Sequence, residues 1–362
     1  MMKLTNLLIS LFKWYIEGWR QPSLNSIARL ILICSLTALA AISASVNFET
    51  DWLNVSLSSG NSSSLFFMFL AVCSLFMLAY SEYRDRQLAS DSLLFKIRHM
   101  GLIDHGIDDV ENYFPKSLKK FKPQAFNMVF GNSHKTTDLE ALNSQLSKIA
   151  RIPEALNESS SSLNNANKHV VYSGVAPVPM VAAAGHAVSN MQNVYVADWN
   201  RQDKKWHFLT DLDDGENVKC ESTTSNGFEE SVCLIIELSL PICVDKIRSD
   251  FPKSDCFKVF WQDDNPRYDK LCSVDKQNRI IGEIIHFINS EILPHKTGLK
   301  EIKLFVAAQA SFIFRLGSAL NQGHLPKITF YHYNPDHKDL NHPWGVSFNG
   351  GVKGYKLAHT GI

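Results

Sequence analysis

The sequence predicts an α/β protein in which two transmembrane α-helices precede a duplicated Rossmann-like domain. Two long apolar runs near the N-terminus indicate the helices. Two strand–turn–helix–strand patterns, beginning at His169 and Lys303, indicate the duplicated domain. The expected organisation is an interfacial amphipathic helix over residues 1–25, a two-helix transmembrane region over 26–82, a cytoplasmic connector over 83–137 and a ligand-binding domain over 138–362, with halves at about 165–240 and 241–345.

The composition and residue spacing argue against a protein that coats long nucleic acids and against a metal site. The 362 residues include 36 basic and 36 acidic side chains, whereas a protein that coats long nucleic acids needs a strongly basic face. The seven cysteines form no Cys-x-x-Cys pair, which favours reduced thiols. Metal ligands on a helix need helical spacing, which the evenly spaced histidines His332, His337 and His342 lack. We therefore expect no metal site there.

The first residues of the chain predict a helix that lies on the membrane surface. Apolar side chains such as Leu4, Leu7 and Leu11 recur at helical spacing. The segment is too short to cross a bilayer. We expect it on the inner leaflet, and the alternative is an amphipathic helix packed on the soluble domain.

Two apolar runs, about 27–46 and 62–81, have the length of membrane spans. The first has one charge, Arg29, at its edge, and the core of the second has none. About twenty residues at the helical rise match the roughly 30 Å hydrocarbon core of a bilayer. The alternative is a pair of buried core helices.

The charges around these runs predict the orientation of the chain. The loop between them contains Glu49 and Asp51 and no lysine or arginine, whereas basic residues flank the outer ends. The positive-inside rule places both termini and the ligand-binding domain in the cytoplasm. Within the first run, Thr37, Ala41 and Ser45 form a small-residue stripe that favours helix–helix association, and we expect oligomerisation through it.

The segment after the second run contains a predicted helix and a cluster of lysines. Residues 82–100 are expected to continue the second span as a helix. Lysines 116, 119, 120 and 122 form a basic cluster that either contacts anionic lipids or is a solvated face.

The two repeated units carry the functional signal. The first has a strand over 169–173, a turn and helix over 174–188 and a strand over 193–197, and the second has a strand over 303–307, a turn over 308–311, a helix over 312–320 and a strand over 327–333. Ligands bind parallel sheets at the carboxyl ends of the strands, where helix N-termini favour phosphate. The alternative is a pair of short turns that bind nothing.

These residues also resemble a known family. The segment YSGVAPVPMVAAAGHAVSNMQNVYVADWNRQDKKWHFL resembles the first half of the SAVED domain, and KLFVAAQASFIFRLGSALNQGHLPKITFYHY resembles its second half, over roughly residues 139–345 in all. The resemblance implies two fused CARF-like halves that bind a cyclic oligonucleotide. Two departures are Gln309, where the family usually has proline, and Trp-His-Phe in place of Trp-x-Trp.

With two membrane spans, the architecture is similar to the membrane-SAVED effectors of bacterial CBASS anti-phage systems. That resemblance implies a multi-pass protein of the inner membrane. Its ligand is a cyclic di- or trinucleotide made by a partner cyclase. Ligand binding then promotes formation of a homo-oligomer that disrupts the membrane and causes abortive infection.

The first turn supplies four candidate ligand-binding residues. Pro177 and Pro179 match the family's turn and set its rigid shape, while Gly174 and Ala176 permit close approach of a ligand.

Three residues after the following strand are further candidates. Arg201 either pairs with phosphate or is an exposed loop residue. Trp199 and Trp206 either stack on a base or belong to the core.

The second half supplies the remaining candidates. Ala308, Gln309 and Ser311 lie in its turn, Arg315 lies one helical turn later, and His332 ends the next strand.

The sequence contains no Walker motif, nucleophile elbow or His-Glu-x-x-His motif, so we expect a ligand-gated effector without catalytic activity or cofactor. One alternative is a membrane-tethered enzyme that degrades cyclic oligonucleotides with Ser311 or His332. The other is an anchored nucleotide sensor that recruits a partner protein.

Overall fold

The computed structural model describes residues 24–43, 48–50, 53–55, 61–90, 92–102, 107–130, 138–161, 167–224, 230–268, 270–295, 298–321, 323–349 and 354–360. The chain divides into two compact units, Met1–Ser90 and Asp91–Ile362.

The first unit is a pair of helices joined through a short hairpin. Its elements are α1 (Leu24–Ser43), β1 (Phe48–Thr50), β2 (Leu53–Val55) and α2 (Asn61–Ser90). The two strands pair in antiparallel fashion, and α1 packs against α2. The expected interfacial helix over 1–25 lies almost wholly outside the described residues.

Among the described residues, one helix is long and apolar enough to cross a bilayer. It is the Leu65–Gln87 part of α2, 23 residues with a mean hydropathy of 1.9. It overlaps the expected second span. In α1, which overlaps the expected first span, the apolar stretch Ser26–Leu39 is shorter than a crossing needs. The two-span arrangement therefore stays a prediction.

The oligomerisation stripe is described in part. Thr37 lies exposed on α1, and its hydroxyl donates to the carbonyl of Ile33 one turn earlier. The side chain of Ala41 and the whole of Ser45 lie outside the described residues.

The expected helix over residues 82–100 is wrong in its second part. The helix α2 ends at Ser90, and strand β3 (Ser92–Met100) follows at once. Both neighbouring strands of β3 hydrogen-bond to it, and Leu94, Phe95 and Ile97 are buried. Residues 92–100 form a strand because both of its edges are paired, and local helix propensity does not override that pairing.

The second unit contains two sheets, and its first half is built on a five-stranded one. Its order is β4-β3-β5-β6-β7, in which β7 alone runs antiparallel to its neighbour. The elements after β3 are a 3₁₀ turn (Val110–Tyr113), β4 (Pro123–Val129), α3 (Leu139–Ala150), α4 (Ile152–Ser160), β5 (Asn167–Val175), α5 (Val178–Ala187), β6 (Asn193–Asn200) and β7 (Lys205–Phe208).

The second half repeats this plan in a seven-stranded sheet of order β14-β13-β12-β11-β9-β10-β8. Strands β10, β9, β11 and β12 are parallel. The elements are β8 (Val218–Thr224), β9 (Ser231–Glu237), α6 (Val244–Asp250), β10 (Asp255–Trp261), α7 (Val274–Phe287) with a π-helical extension (Ile288–Ile292), β11 (Glu301–Ala307), α8 (Ala310–Ala319), β12 (Lys327–His332), β13 (Trp344–Phe348) and β14 (Lys356–His359).

The duplicated mixed α/β fold expected from the sequence is therefore present. Strand order β4-β3-β5-β6 in the first sheet corresponds to β10-β9-β11-β12 in the second. Its boundaries differ from the expected ones. The range 83–137, expected as a connector, contributes β3 and β4 to the first sheet, and β8 joins the second sheet well before residue 241.

The two halves meet where α5 crosses α8. A Cβ atom on Gly185 would overlap the backbone carbonyl of Phe314, and a Cβ on Gly317 would overlap that of Ala182. Gly185 follows the first residue of α5 by seven positions, and Gly317 follows the first residue of α8 by seven positions. The crossing is therefore symmetric, and each helix uses glycine to admit the backbone of the other.

This crossing predicts the effect of adding one methyl group. We expect Gly185→Ala to lower the free energy of unfolding by about 3 kcal/mol, because the rigid backbone of α8 must move away. Thermal unfolding of the full chain in detergent, followed by circular dichroism, measures the change.

The matched control is Gly282→Ala in the middle of α7, where a Cβ would meet no atom within 4 Å. It should raise stability by up to about 1 kcal/mol because alanine favours the helix. Equal melting temperatures for Gly185→Ala and the unchanged chain would contradict the tight crossing.

Candidate ligand-binding site

The two strand-to-helix turns have the same backbone arrangement. In the first half, the N–H groups of Gly101 and Leu102 donate to the carbonyl of Val175 at 2.9 and 3.0 Å. In the second half, the N–H groups of Leu238 and Ser239 donate to the carbonyl of Ala307 at 3.0 and 2.8 Å. The carboxyl ends of the central strands are thereby fixed in both halves.

A carboxylate from the first half binds the start of the helix in the second half. Asp198, on β6, accepts a hydrogen bond from the backbone N–H of Ser311 at 2.8 Å and another from its hydroxyl. Both residues are buried. Asp198 therefore fills the position at the N-terminus of α8 that would otherwise attract an anion.

Two glutamines complete this contact within the second half. Gln277 donates to the Ser311 hydroxyl at 2.7 Å and to the carbonyl of Leu271 at 2.6 Å. Gln309 accepts from the N–H of Leu271 at 2.7 Å. The side chain of Gln309, expected to bond a ligand, thus holds the loop before α7.

A buried tyrosine extends the polar cluster into the first half. The Tyr172 hydroxyl lies 2.9 Å from Nδ1 of His99, and both side chains are fully buried. Burial raises the pKa of Tyr172 well above its ordinary value, and the nearby Asp198 carboxylate adds to the rise. We call Asp198, Ser311, Gln277, Tyr172 and His99 the inter-half cluster.

Arg315 lies beside this cluster on α8. Desolvation by burial lowers the pKa of its guanidinium, and the Asp198 carboxylate partly offsets that effect. Its Nε atom is buried without a hydrogen-bond partner in the described part of the chain. Arg315 therefore supplies positive charge next to Asp198.

The corresponding contact at the other helix has different chemistry. The chain positions equivalent to Ser311 and Asp198 are Pro179 on α5 and His332 on β12. α5 packs against β12 as α8 packs against β6. Proline has no N–H to donate. The pseudo-symmetric fold thus has one helix start bound to a carboxylate and one that lacks this bond.

The first-turn candidates are less accessible than expected. Ala176, Pro177 and Pro179 are buried. A Cβ on Gly174 would overlap the Tyr172 side chain, so this glycine makes room for Tyr172. These residues therefore mainly pack beneath the surface, and their role in ligand binding stays a prediction.

The three candidates around the β6–β7 hairpin have different environments. Trp206 is 3% exposed, and its indole N–H donates to the carbonyl of Asp108 at 2.8 Å. It is a core residue. Trp199 is half-buried and lies against Trp206, with ring centroids 5.3 Å apart. Arg201 is exposed in the hairpin turn. Trp199 and Arg201 are thus the accessible pair.

The remaining second-half candidates are divided between surface and core. Ala308 is half-buried at the turn. His332 is 7% exposed at the end of β12, with its ring 4.8 Å from that of Trp344. Ser311 is fully buried.

Sequence reasoning missed most of the inter-half cluster. His99 lies in a strand that was expected to be helical, and Gln277 lies in a helix without a recognised motif. Tyr172 lies within the predicted strand over 169–173, for which the sequence indicates no polar contact. The one available signal was Asp198, an acidic side chain at the end of a buried strand.

The structure describes the surroundings of one candidate nucleophile and of the possible metal ligands. The Ser311 hydroxyl is inaccessible and is engaged by Asp198 and Gln277, which disfavours it as a nucleophile. Within the described residues, no group of three or more histidine, cysteine or acidic side chains is arranged to hold a metal ion.

Comparison with known proteins finds a matching family. Residues 152–348 match the family described as "SMODS-associated and fused to various effectors sensor domain", abbreviated SAVED. No curated protein matches the chain.

Solved structures similar to the chain include three structures of two receptors. The Acinetobacter baumannii Cap4 SAVED/CARF-domain containing receptor with 3′3′3′-cAAA has 14% identity and a TM-score of 0.48, covering 82% of this chain and 63% of that one. The same receptor with 2′3′3′-cAAA has 13% identity and a TM-score of 0.45, covering 82% and 62%. The Moraxella osloensis Cap4 receptor has 12% identity and a TM-score of 0.43, covering 79% and 60%. The chain spans less than two thirds of each.

His99 predicts how stability depends on pH. Burial lowers its pKa to about 3 from about 6.5. Between these values the unfolded chain binds more protons, so this contribution is complete above about pH 6.5 and is lost as the pH falls towards 3. We expect His99 to account for up to about 1.4 kcal/mol per pH unit in this window.

Denaturant unfolding at stepped pH measures this slope. His99→Gln should flatten it, whereas His324→Gln, at an exposed histidine, should leave it unchanged. Identical slopes for His99→Gln and the unchanged chain would rule out the buried neutral imidazole.

Proposed function

Because the chain belongs to the SAVED family, we propose that its second unit is the sensor for a cyclic oligonucleotide second messenger. The observation that carries the proposal is the extent of the family match, residues 152–348, which spans both strand–turn–helix units. The ligand is a cyclic di- or trinucleotide that a partner cyclase makes.

The accessible residues at the carboxyl edge support a ligand contact centred on the first half. Asp198 already binds the donors at the start of α8, so a phosphate there would meet a like charge. Arg201 is exposed near the end of β6 and is suited to bind phosphate, and Trp199 is partly accessible for stacking on a base.

We further propose that the first unit is the effector. In this proposal α1 and α2 both cross the inner membrane of a bacterium, with both termini and the sensor in the cytoplasm. Ligand binding favours a homo-oligomer, with Thr37, Ala41 and Ser45 at the contact between helices. The clustered helices disrupt the membrane and produce abortive infection. The apolar length of α2 supports this role.

Charge reversal at the hairpin tests the sensor. We expect Arg201→Glu to weaken binding of cyclic triadenylate to the full chain in detergent at least tenfold, since a phosphate-binding cation becomes a repulsive carboxylate. Isothermal titration calorimetry gives the affinity.

Arg151→Glu, at an exposed arginine between α3 and α4, is the charge-matched control and should bind normally. Unchanged affinity in Arg201→Glu would remove Arg201 from the site. Failure of cyclic di- and trinucleotides to bind the unchanged chain would refute the sensor, and linear products detected by mass spectrometry would show an enzyme instead.

A charge in the apolar helix tests the effector separately. Phe76 lies in the apolar part of α2 and is 72% exposed. We expect Phe76→Asp to abolish ligand-dependent dye release from liposomes, because a carboxylate at the centre of a span costs about 3 kcal/mol. Ligand affinity should remain that of the unchanged chain.

Phe76→Leu should retain dye release, since it preserves the apolar surface. Ligand binding without dye release or a change of membrane potential in the unchanged chain would contradict the effector role while leaving the sensor intact. Co-purification from membranes would then reveal a recruited partner.

A further inference from the structure

A polar row crosses one face of the second sheet, away from the turns described above. Adjacent strands place Lys303, Thr329, Ser347 and Lys356 directly opposite one another in the ladder. Residues opposite one another in a ladder share a face. The row therefore runs across β11, β12, β13 and β14 from one lysine to the other.

The two faces of these strands differ in polarity. The opposite face of the same strands is hydrophobic core, including Ile302, Phe330 and Val346. On the polar face, a cavity of about 450 Å³ opens over the row. Its lining includes Lys303, Lys327, Lys356, Ser347 and His359, with Glu301 and Asp250 as the acidic members.

Both acidic members already have partners. Glu301 pairs with Lys327 at 3.0 Å and accepts the Thr329 hydroxyl. Asp250 pairs with His342 at 2.8 Å. Each carboxylate of the cavity therefore has a partner other than Lys303 and Lys356.

The two end lysines lack a counter-ion. Among the described residues, neither Lys303 nor Lys356 forms an ion pair. Lys303 is half-buried over the ring of Phe251, at 4.8 Å, and its ammonium donates to the hydroxyls of Ser231 and Ser254 at 2.9 and 3.2 Å. An ammonium has three donors, so Lys303 retains one, and its contacts among the described residues are all with neutral groups.

The hydroxyls between the lysines are also committed. Thr329 donates to Glu301, and its oxygen lies 2.8 Å from that of Ser347. Since Thr329 has one proton to give, Ser347 is the donor in that pair. The two end lysines lie roughly 14 Å apart at the Cα atoms across three strand spacings, and the Lys303 ammonium leans away from β14, towards Ser231 and Ser254.

We propose that this groove binds a phosphate monoester, and that the side chains of Lys303 and Lys356 turn towards it over the row when it binds. A monoester carries nearly two negative charges at neutral pH, which matches two ammonium groups without carboxylate partners. The phosphate belongs to a soluble nucleotide or to a lipid headgroup such as phosphatidic acid. A cyclic oligonucleotide contains only diesters, so the proposed site is separate from the sensor edge.

Titration of the full chain in phosphatidylcholine nanodiscs tests the proposal. Inorganic phosphate and adenosine monophosphate are the soluble probes, measured by calorimetry at about 0.15 M salt so that weak surface attraction is screened. Nanodiscs that contain phosphatidic acid, compared with phosphatidylglycerol nanodiscs, form the lipid arm, read by hydrogen exchange in β11–β14. A response to soluble probes assigns the phosphate to a free ligand, and a response to phosphatidic acid alone assigns it to a lipid.

Lysine-to-methionine variants identify the groove. We expect Lys303→Met and Lys356→Met each to weaken binding at least tenfold, while the exposed Lys205→Met on β7 binds normally. Methionine keeps the apolar stem over Phe251 and removes the charge. Since Lys356 is exposed on an edge strand, its variant remains informative if Lys303→Met unfolds.

Binding should also weaken about tenfold from pH 7.5 to 5, because the second proton of a phosphate monoester dissociates near pH 6. Absence of saturable binding in both arms would overturn the proposal. Affinities that are unchanged in both lysine variants would overturn it equally.

Discussion

The crossing of α5 over α8 is the contact on which the two halves of the second unit depend. Gly185 and Gly317 let the backbones touch, so neither helix has space to shift by even a methyl group. At this distance the start of α8 reaches the end of β6 in the other half, where Asp198 binds Ser311. A buried carboxylate is costly unless it is hydrogen-bonded. The close crossing supplies those bonds and thereby fixes the register of one half against the other.

The two halves share a backbone plan but differ in side-chain chemistry at equivalent positions. Asp198 and Ser311 form a buried bond, whereas their counterparts His332 and Pro179 have no equivalent donor and carboxylate. The electrostatic character of the two helix starts is therefore unequal although their backbones are alike. On the proposed function, a symmetric ligand placed on this edge would meet an asymmetric site, with the first half as the better partner for phosphate.

The turns were predictable because small residues follow buried strands at both β5 and β11, and this pattern is local. Strand β3 was not, since it follows α2 after one residue and is buried on both faces, which removes the alternation that marks a strand. The inter-half cluster could not be predicted either, because its contacts join residues far apart in the chain. Asp198 and Ser311 are separated by 113 positions, and their pairing follows from the glycine crossing, which sequence periodicity does not reveal. Gln309 stands where the family usually has proline. Its amide oxygen accepts a hydrogen bond from the Leu271 N–H, which a proline side chain could not accept.

On the proposed function, strand β3 connects a sensor at the carboxyl edge to the membrane helices along the chain. The strand starts at Ser92, two positions after the last residue of α2, and its His99 side chain contacts Tyr172 in the inter-half cluster. It is hydrogen-bonded on both edges, so it moves with the sheet as a whole. A ligand shifts such an equilibrium only through unequal affinity for two arrangements. On the proposed function, those arrangements share the glycine crossing, because its touching backbones leave no room to shift, and they differ elsewhere in the second unit.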